Sequence, residues 1–71
     1  MEPPAIPDEL KERIDGHLSR SEVFVAVSIL MNGAGWPIFE AKWAIATRFR
    51  ERFPDLFLAY RNLGDDDYRP A

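Results

Sequence analysis

The sequence predicts a small all-α fold, a bundle of three principal helices and a short C-terminal fourth helix, with disordered termini. Three features indicate it: a spacing typical of a capping box, an Asn-Gly pair that ends a helix, and a Trp-Pro pair that starts another. The chain has 71 residues and no cysteine, so one hydrophobic core must hold it together without a disulfide. We therefore assign a disordered arm to residues 1–7, a single helical domain to residues 8–64 and an acidic mobile tail to residues 65–71.

The first helix is predicted to begin after the N-terminal prolines, with Asp8 as its N-cap. From there Leu10, Ile14 and Leu18 recur every four residues, which is the spacing of one apolar face of a helix. Gly16 lies within this pattern. Because glycine disfavours a helix interior, we expect the helix to be interrupted near it.

The second helix is predicted from about Arg20 to Met31. Ser19 and Glu22 have the spacing of a capping box, in which each side chain hydrogen-bonds the other residue's backbone amide. Asn32-Gly33 follows, and both residues tolerate the left-handed geometry that ends many helices. If Ser19 caps this helix, Ser19→Ala should lower the stability of the protein by about 0.5–2 kcal/mol.

The third helix is predicted over residues 37–53, antiparallel to the second. Pro37 suits the first position of a helix, and Pro54 disfavours helical geometry at the residue before it. The apolar stripe of this helix is Ile38, Ala41, Ile45, Phe49 and Phe53, widened by Phe39 and Ala46. The short fourth helix is expected from the apolar residues before Gly64, which are Leu56, Phe57, Tyr60 and Leu63.

A second interpretation of the same segments is a small α/β fold. Residues 23–29 are rich in β-branched side chains, and residues 56–60 also suit a strand. Two such strands around the helix at 37–53 would form a βαβ unit. We favour helices because the capping box and the Asn-Gly pair agree with them, and because so small a sheet would be marginally stable.

The composition indicates a protein that binds other proteins rather than nucleic acid or a membrane. Apolar residues make up 46% of the chain, which is generous for so short a sequence. The net charge is −3, which opposes attraction to nucleic acid and to anionic lipid. No apolar run approaches the roughly 18–20 residues of a membrane span, and the first residues lack the basic region of a signal peptide. We therefore expect a cytoplasmic protein.

No residue pattern predicts catalysis, cofactor binding or metal binding. His17 is the single histidine, and the chain has no cysteine to join it at a metal site. Residues 65–67 are three consecutive aspartates, whereas a calcium loop needs alternating oxygen ligands, a central glycine and a distal glutamate. The glycines of residues 33–35 match neither dinucleotide-loop nor phosphate-loop spacing. The sequence therefore predicts a protein that is not an enzyme.

Apolar and cationic side chains on the second and third helices are the candidates for partner contacts. On the second helix, Val25 and Ile29 project away from the predicted core face beside two serines, which suits close approach of another helix. Tryptophan and arginine are frequent in the centres of protein interfaces. The full set of candidates is Val25, Ile29, Trp36, Trp43, Arg48, Arg50 and Arg52.

The expected function is that of a non-catalytic protein-binding module, such as a small accessory, adaptor or inhibitor subunit. Its partner is a protein. Two interpretations of the outer face of the second helix are open: it joins two copies of the chain in a homodimer, or the first helix or the C-terminal segment covers it within the monomer. The alternative is a DNA-binding helical regulator that uses the helix at 37–53. That helix has no basic residue near its start, where contacts to bases are expected, so nucleic acid is the less favoured partner.

Overall fold

The computed structural model describes residues 2–62, which form four helices. No strand occurs in this part of the chain, so the all-α prediction is confirmed and the βαβ interpretation of residues 23–29 and 56–60 is wrong. Each helix packs on the next one along the chain. The predicted positions at Leu63 and Gly64, and the tail 65–71, lie outside the described residues. The helices are α1 (Asp8–Leu18), α2 (Val23–Gly33), α3 (Ile38–Arg52) and α4 (Pro54–Asn62).

Helix α1 is continuous, so the predicted interruption at Gly16 is wrong. Ile14 and Leu18, on either side of Gly16, are both fully buried. Their burial outweighs the roughly 1 kcal/mol by which glycine disfavours a helix. The N-cap position is Pro7, and Asp8 is instead the first helical residue, where its negative charge suits the helix dipole.

The turn between α1 and α2 is closed by the backbone rather than by a capping box. The amide of Glu22 donates to the carbonyl of His17 (2.9 Å), so it is not available to the Ser19 side chain. The Ser19 hydroxyl donates instead to the Gly16 carbonyl (2.8 Å), and the Glu22 carboxylate lies 2.7 Å from Nδ1 of His17. Ser21 adopts a left-handed φ of 58°. The capping-box prediction is therefore wrong, and α2 begins with Glu22 at its N-cap position.

The turn between α2 and α3 reverses the chain at Gly35, which has a φ of 71°. The sequence placed the left-handed residue at Asn32-Gly33, but α2 continues through Gly33. The amide of Trp36 then donates to the carbonyl of Leu30 (3.2 Å). Pro37 occupies the N-cap position of α3.

At the other end of α3 the prediction from Pro54 is confirmed. The helix ends at Arg52, and Phe53 takes the non-helical φ of −135°. Pro54 is the first residue of α4, so Phe53 is the single residue between the two helices. Pro54 therefore turns the chain so that α4 packs on α3.

The core draws on all four helices and on the N-terminal arm. The buried residues of α3 include Ala41, Ala44, Ile45 and Phe49, whereas Ile38 and Phe39 are exposed, so the predicted stripe is wrong at its first turn. Ile6, which the sequence placed in a disordered arm, is buried in the core with 9% of its surface exposed. The largest fully buried side chains are Phe49, Ile14, Leu18, Leu30 and Ile45.

The Phe49 ring joins α4 to the core. Its centroid lies 5.9 Å from the ring of Phe57 and 6.1 Å from the ring of Tyr60, and both pairs are close to edge-on. Phe53, at the junction of the two helices, has its ring centroid 6.5 Å from the same ring. Such aromatic pairs stabilise by about 0.5–1.5 kcal/mol beyond the burial of their surface.

Phe49→Ala should unfold most of the protein at room temperature. Removing a fully buried phenylalanine costs about 3–5 kcal/mol, which is as much as a core of this size supplies in total. Circular dichroism during urea titration measures the effect. Phe24→Ala is the matched control, since Phe24 is 56% exposed and should change the midpoint little. Retention of a cooperative transition in the Phe49 variant would contradict this account of the core.

Ser19→Ala should change the free energy of unfolding by less than about 0.5 kcal/mol, as is usual for an exposed position. Its hydroxyl makes one exposed hydrogen bond and caps no amide of α2. The same urea titration tests the expectation. A decrease of about 1 kcal/mol or more in the free energy of unfolding would instead support the capping role that the sequence predicted for Ser19.

Candidate functional site

Arg48, a candidate for partner contacts, is held inside the molecule by Asp15 of α1. Its Nε and Nη2 atoms donate to the two carboxylate oxygens of Asp15 at 2.6 and 2.7 Å. Both side chains are only 20% exposed. The bidentate pair fixes α1 against α3 with a defined geometry. Arg52 lies at the edge of the pair, with Nη2 3.8 Å from Asp15 Oδ2.

The same pair sets the charge states of its members. The hydrogen bonds from Arg48 hold the pKa of the Asp15 carboxyl below its ordinary value, although partial burial opposes this. In return, the hydrogen bonds to Asp15 raise the pKa of Arg48. Arg48 therefore connects two helices of its own chain.

The two candidates on α2 differ in their accessibility. Val25 is 44% exposed, whereas Ile29 is only 8% exposed and belongs to the core. The sequence placed Ile29 on the side away from the core, so its expected orientation is wrong. Both residues line a shallow groove between α1 and α2, of about 310 Å³. Its lining is Arg13, Val25, Ser28, Ile29, Asn32 and Gly33.

The two tryptophans are both half-buried. Trp36 packs against the core at the turn between α2 and α3. Trp43 lies in the first half of α3, two residues after the buried Ala41. An indole in this setting presents part of its ring to solvent, as is common for tryptophan at interfaces.

The most exposed large apolar side chains are ones that the sequence assigned to the core or left unassigned. Phe39 is 72% exposed and its neighbour Ile38 is 56% exposed, both on the first turn of α3. Phe24 of α2 and Leu58 of α4 are each 56% exposed. The alanine at position 44 is the sequence feature that could have predicted the exposure of Phe39. When Ala41 and Ala44 both face the core, Phe39 lies on the opposite side of the helix and faces solvent.

Four side chains lie on the side of α3 opposite Ala41 and Ala44, and we call them the α3 outer stripe: Phe39, Trp43, Ala46 and Arg50. Phe39 and Arg50 are exposed, whereas Trp43 is half-buried and Ala46 is partly buried against the edge of the core. At about 100° per residue they fall within about 60° of one another around the helix axis. The stripe has an apolar end and a cationic end. Arg50 is exposed, and within residues 2–62 it forms no ion pair.

Comparisons with known proteins find no match, whether to family models, to curated proteins or to solved structures. Within the described part of the chain, no group of three or more His, Cys, Asp or Glu side chains is placed to hold a metal ion. None of the four helices is long and apolar enough to cross a membrane. The candidate site therefore rests on the geometry of α2 and α3.

Asp15→Asn should destabilise the protein by about 1.5–3 kcal/mol at pH 7, the usual range for a hydrogen bond to a charged group. Because the pKa of Asp15 is lowered by folding, the stabilisation is present above the unfolded-state pKa near 3.8. It is lost as the pH falls through the lower folded-state value. The difference in unfolding free energy between the two proteins should therefore be constant from pH 7 to about 5 and shrink below about 4.

Asp8→Asn is the matched control for this prediction. Asp8 also pairs with a cation, Lys11 at 2.9 Å, but its side chain is 94% exposed. Solvent screens such a pair, and the charge of Asp8 acts on the dipole of α1 from an exposed position, so the substitution should shift the urea midpoint at pH 7 far less than Asp15→Asn does. Equal effects of the two substitutions would contradict the structural role of the Asp15–Arg48 pair.

Proposed function

We propose that this protein is a non-catalytic protein-binding module, a small accessory, adaptor or inhibitor subunit that binds through apolar side chains on its helices. The observation that carries the proposal is the exposure of Phe39, at 72%, beside the exposed Ile38. Single exposed apolar residues are normal on any protein. Here two large ones are adjacent, and Trp43 follows one turn later on the same side of α3.

The surroundings of these residues also resemble a binding surface. Interfaces typically have an apolar centre that is rich in aromatic residues and arginine, with a polar rim. On α3, Glu40 is exposed beside Phe39, and Arg50 is exposed beyond Trp43. This arrangement supports a partner that covers the aromatic residues and meets the charges at the edge. A cytoplasmic location is part of the same proposal.

The DNA-binding alternative receives less support from the same helix. A recognition helix contacts bases mainly through its N-terminal residues. The first turn of α3 presents Ile38, Phe39 and Glu40, and Arg48 is engaged by Asp15. A protein partner therefore fits this surface better than the phosphate backbone of a nucleic acid.

Photo-crosslinking from position 39 tests the proposal. A photoreactive phenylalanine analogue replaces Phe39 in the full chain, which is produced in its native cells and irradiated there. We expect discrete protein adducts, because an aromatic side chain at this position lies in the interface. The matched control carries the analogue at Glu12, which is exposed on α1 rather than on α3.

The yield of protein adducts from position 39 should also depend on the other residues of the α3 outer stripe. Trp43→Ala, combined with the analogue at position 39, should lower the adduct yield severalfold because it removes part of the interface centre. Equal adduct yields from positions 39 and 12 would overturn the proposal. Adducts to nucleic acid in place of protein would also overturn it and favour the DNA-binding alternative.

A further inference from the structure

We infer that the α3 outer stripe binds a second copy of this chain, in an antiparallel helix pair about a two-fold axis. This inference rests on the proposed function, and the partner of the binding module is then a second copy of the same chain. Phe39, Trp43, Ala46 and Arg50 follow one another at intervals of four, three and four residues. That is the repeat of the a and d positions along which two helices pack in a coiled coil.

Antiparallel pairing makes this stripe complementary to itself. If the two-fold axis passes level with the midpoint of Ala44 and Ile45, Phe39 faces Arg50 of the second copy. Trp43 then faces Ala46 of the second copy, and both pairs recur on the other side of the axis. Reciprocal contacts of this kind are what a two-fold interface requires.

Each of these pairs is chemically favourable. A guanidinium over a phenyl ring is attracted by the negative face of the ring. A large indole opposite a small alanine lets two helices approach without a clash or a gap. Exposed Arg50 and 72% exposed Phe39 thus complement each other across the axis.

The parallel arrangement of the same two helices lacks this complementarity. It would place Arg50 against Arg50, where like charges repel, and Trp43 against Trp43. Repulsion between like charges is one means by which helix pairs select their orientation. The charge of Arg50 therefore argues for the antiparallel pair.

The α2 surface, on which the sequence placed the homodimer, is less suited to it. Ile29 is 8% exposed and packs within its own core, which leaves Val25 as the accessible member of that pair. The α3 outer stripe, by contrast, offers an exposed residue at each end.

Sedimentation of the full chain from about 1 µM to 1 mM tests the inference, since a homodimer dissociates on dilution. The wild-type protein should shift from 8.2 kDa towards twice that mass as its concentration rises. Phe39→Arg should raise the dimer dissociation constant at least about tenfold, because it places two arginines opposite each other. Phe24→Arg is the matched control, an exposed apolar residue outside the stripe, and should leave the constant unchanged.

A charge swap identifies the pairing itself. In the double variant Phe39→Arg with Arg50→Phe, each arginine again faces a phenylalanine, and the dimer should recover to within a few-fold of the wild-type constant. A partner of different sequence has no reason to restore binding to this double variant. Circular dichroism of each variant confirms that the helices are retained, which is expected because positions 24, 39 and 50 are exposed.

Three outcomes would overturn the inference. A wild-type chain that stays monomeric up to 1 mM excludes the dimer. A dimer weakened by Phe24→Arg but not by Phe39→Arg uses a different surface, and a double variant that fails to recover excludes the antiparallel register. In each case a protein adduct from position 39 that depends on Trp43 would still support the binding module. Failure of the inference is therefore distinguishable from failure of the proposed function.

Discussion

The closure of the core around the Phe49 ring is the constraint on which the rest of this structure depends. A chain of 71 residues without cysteine has no covalent link to hold its helices together. Phe49 is fully buried, and its ring contacts Phe53, Phe57 and Tyr60 at the junction of α3 and α4. These contacts give the short α4 a place to pack. Without tertiary packing, a helix of 9 residues would be marginal in water.

The Asp15–Arg48 pair fixes the orientation of α1 relative to α3, whereas the apolar core holds the helices together. Apolar packing is not directional, whereas a bidentate pair has one favourable geometry. Asp15 lies one residue after the fully buried Ile14, and Arg48 lies one residue before the fully buried Phe49. The ion pair therefore sits at the boundary of the core, where it fixes the position of α1 on α3.

Local sequence signals predicted the helices well where a single residue dictates backbone geometry, as Pro54 does at the end of α3. They failed where the outcome depends on residues distant in sequence. Gly16 stays helical because Ile14 and Leu18 are buried against other helices, and the Ser19 cap is displaced by backbone hydrogen bonds of the turn. The Asp15–Arg48 pair, 33 residues apart, had no local signal at all. The candidates Val25, Trp43 and Arg50 remain accessible, whereas Ile29 and Arg48 face inward.

The exposure of Phe39 follows from the close packing of the opposite side of α3. Ala41 and Ala44 are buried, and such small side chains let a helix approach its neighbour closely. Because the side of α3 that carries these alanines faces the core, Phe39 on the opposite side of the helix faces solvent. Arg48 and Arg50 show the same division, because two residues along a helix correspond to about 200° of rotation. Arg48 therefore joins α3 to α1, while Arg50 stays on the surface seven residues after Trp43. Substitutions on this one helix can therefore separate folding from the proposed binding.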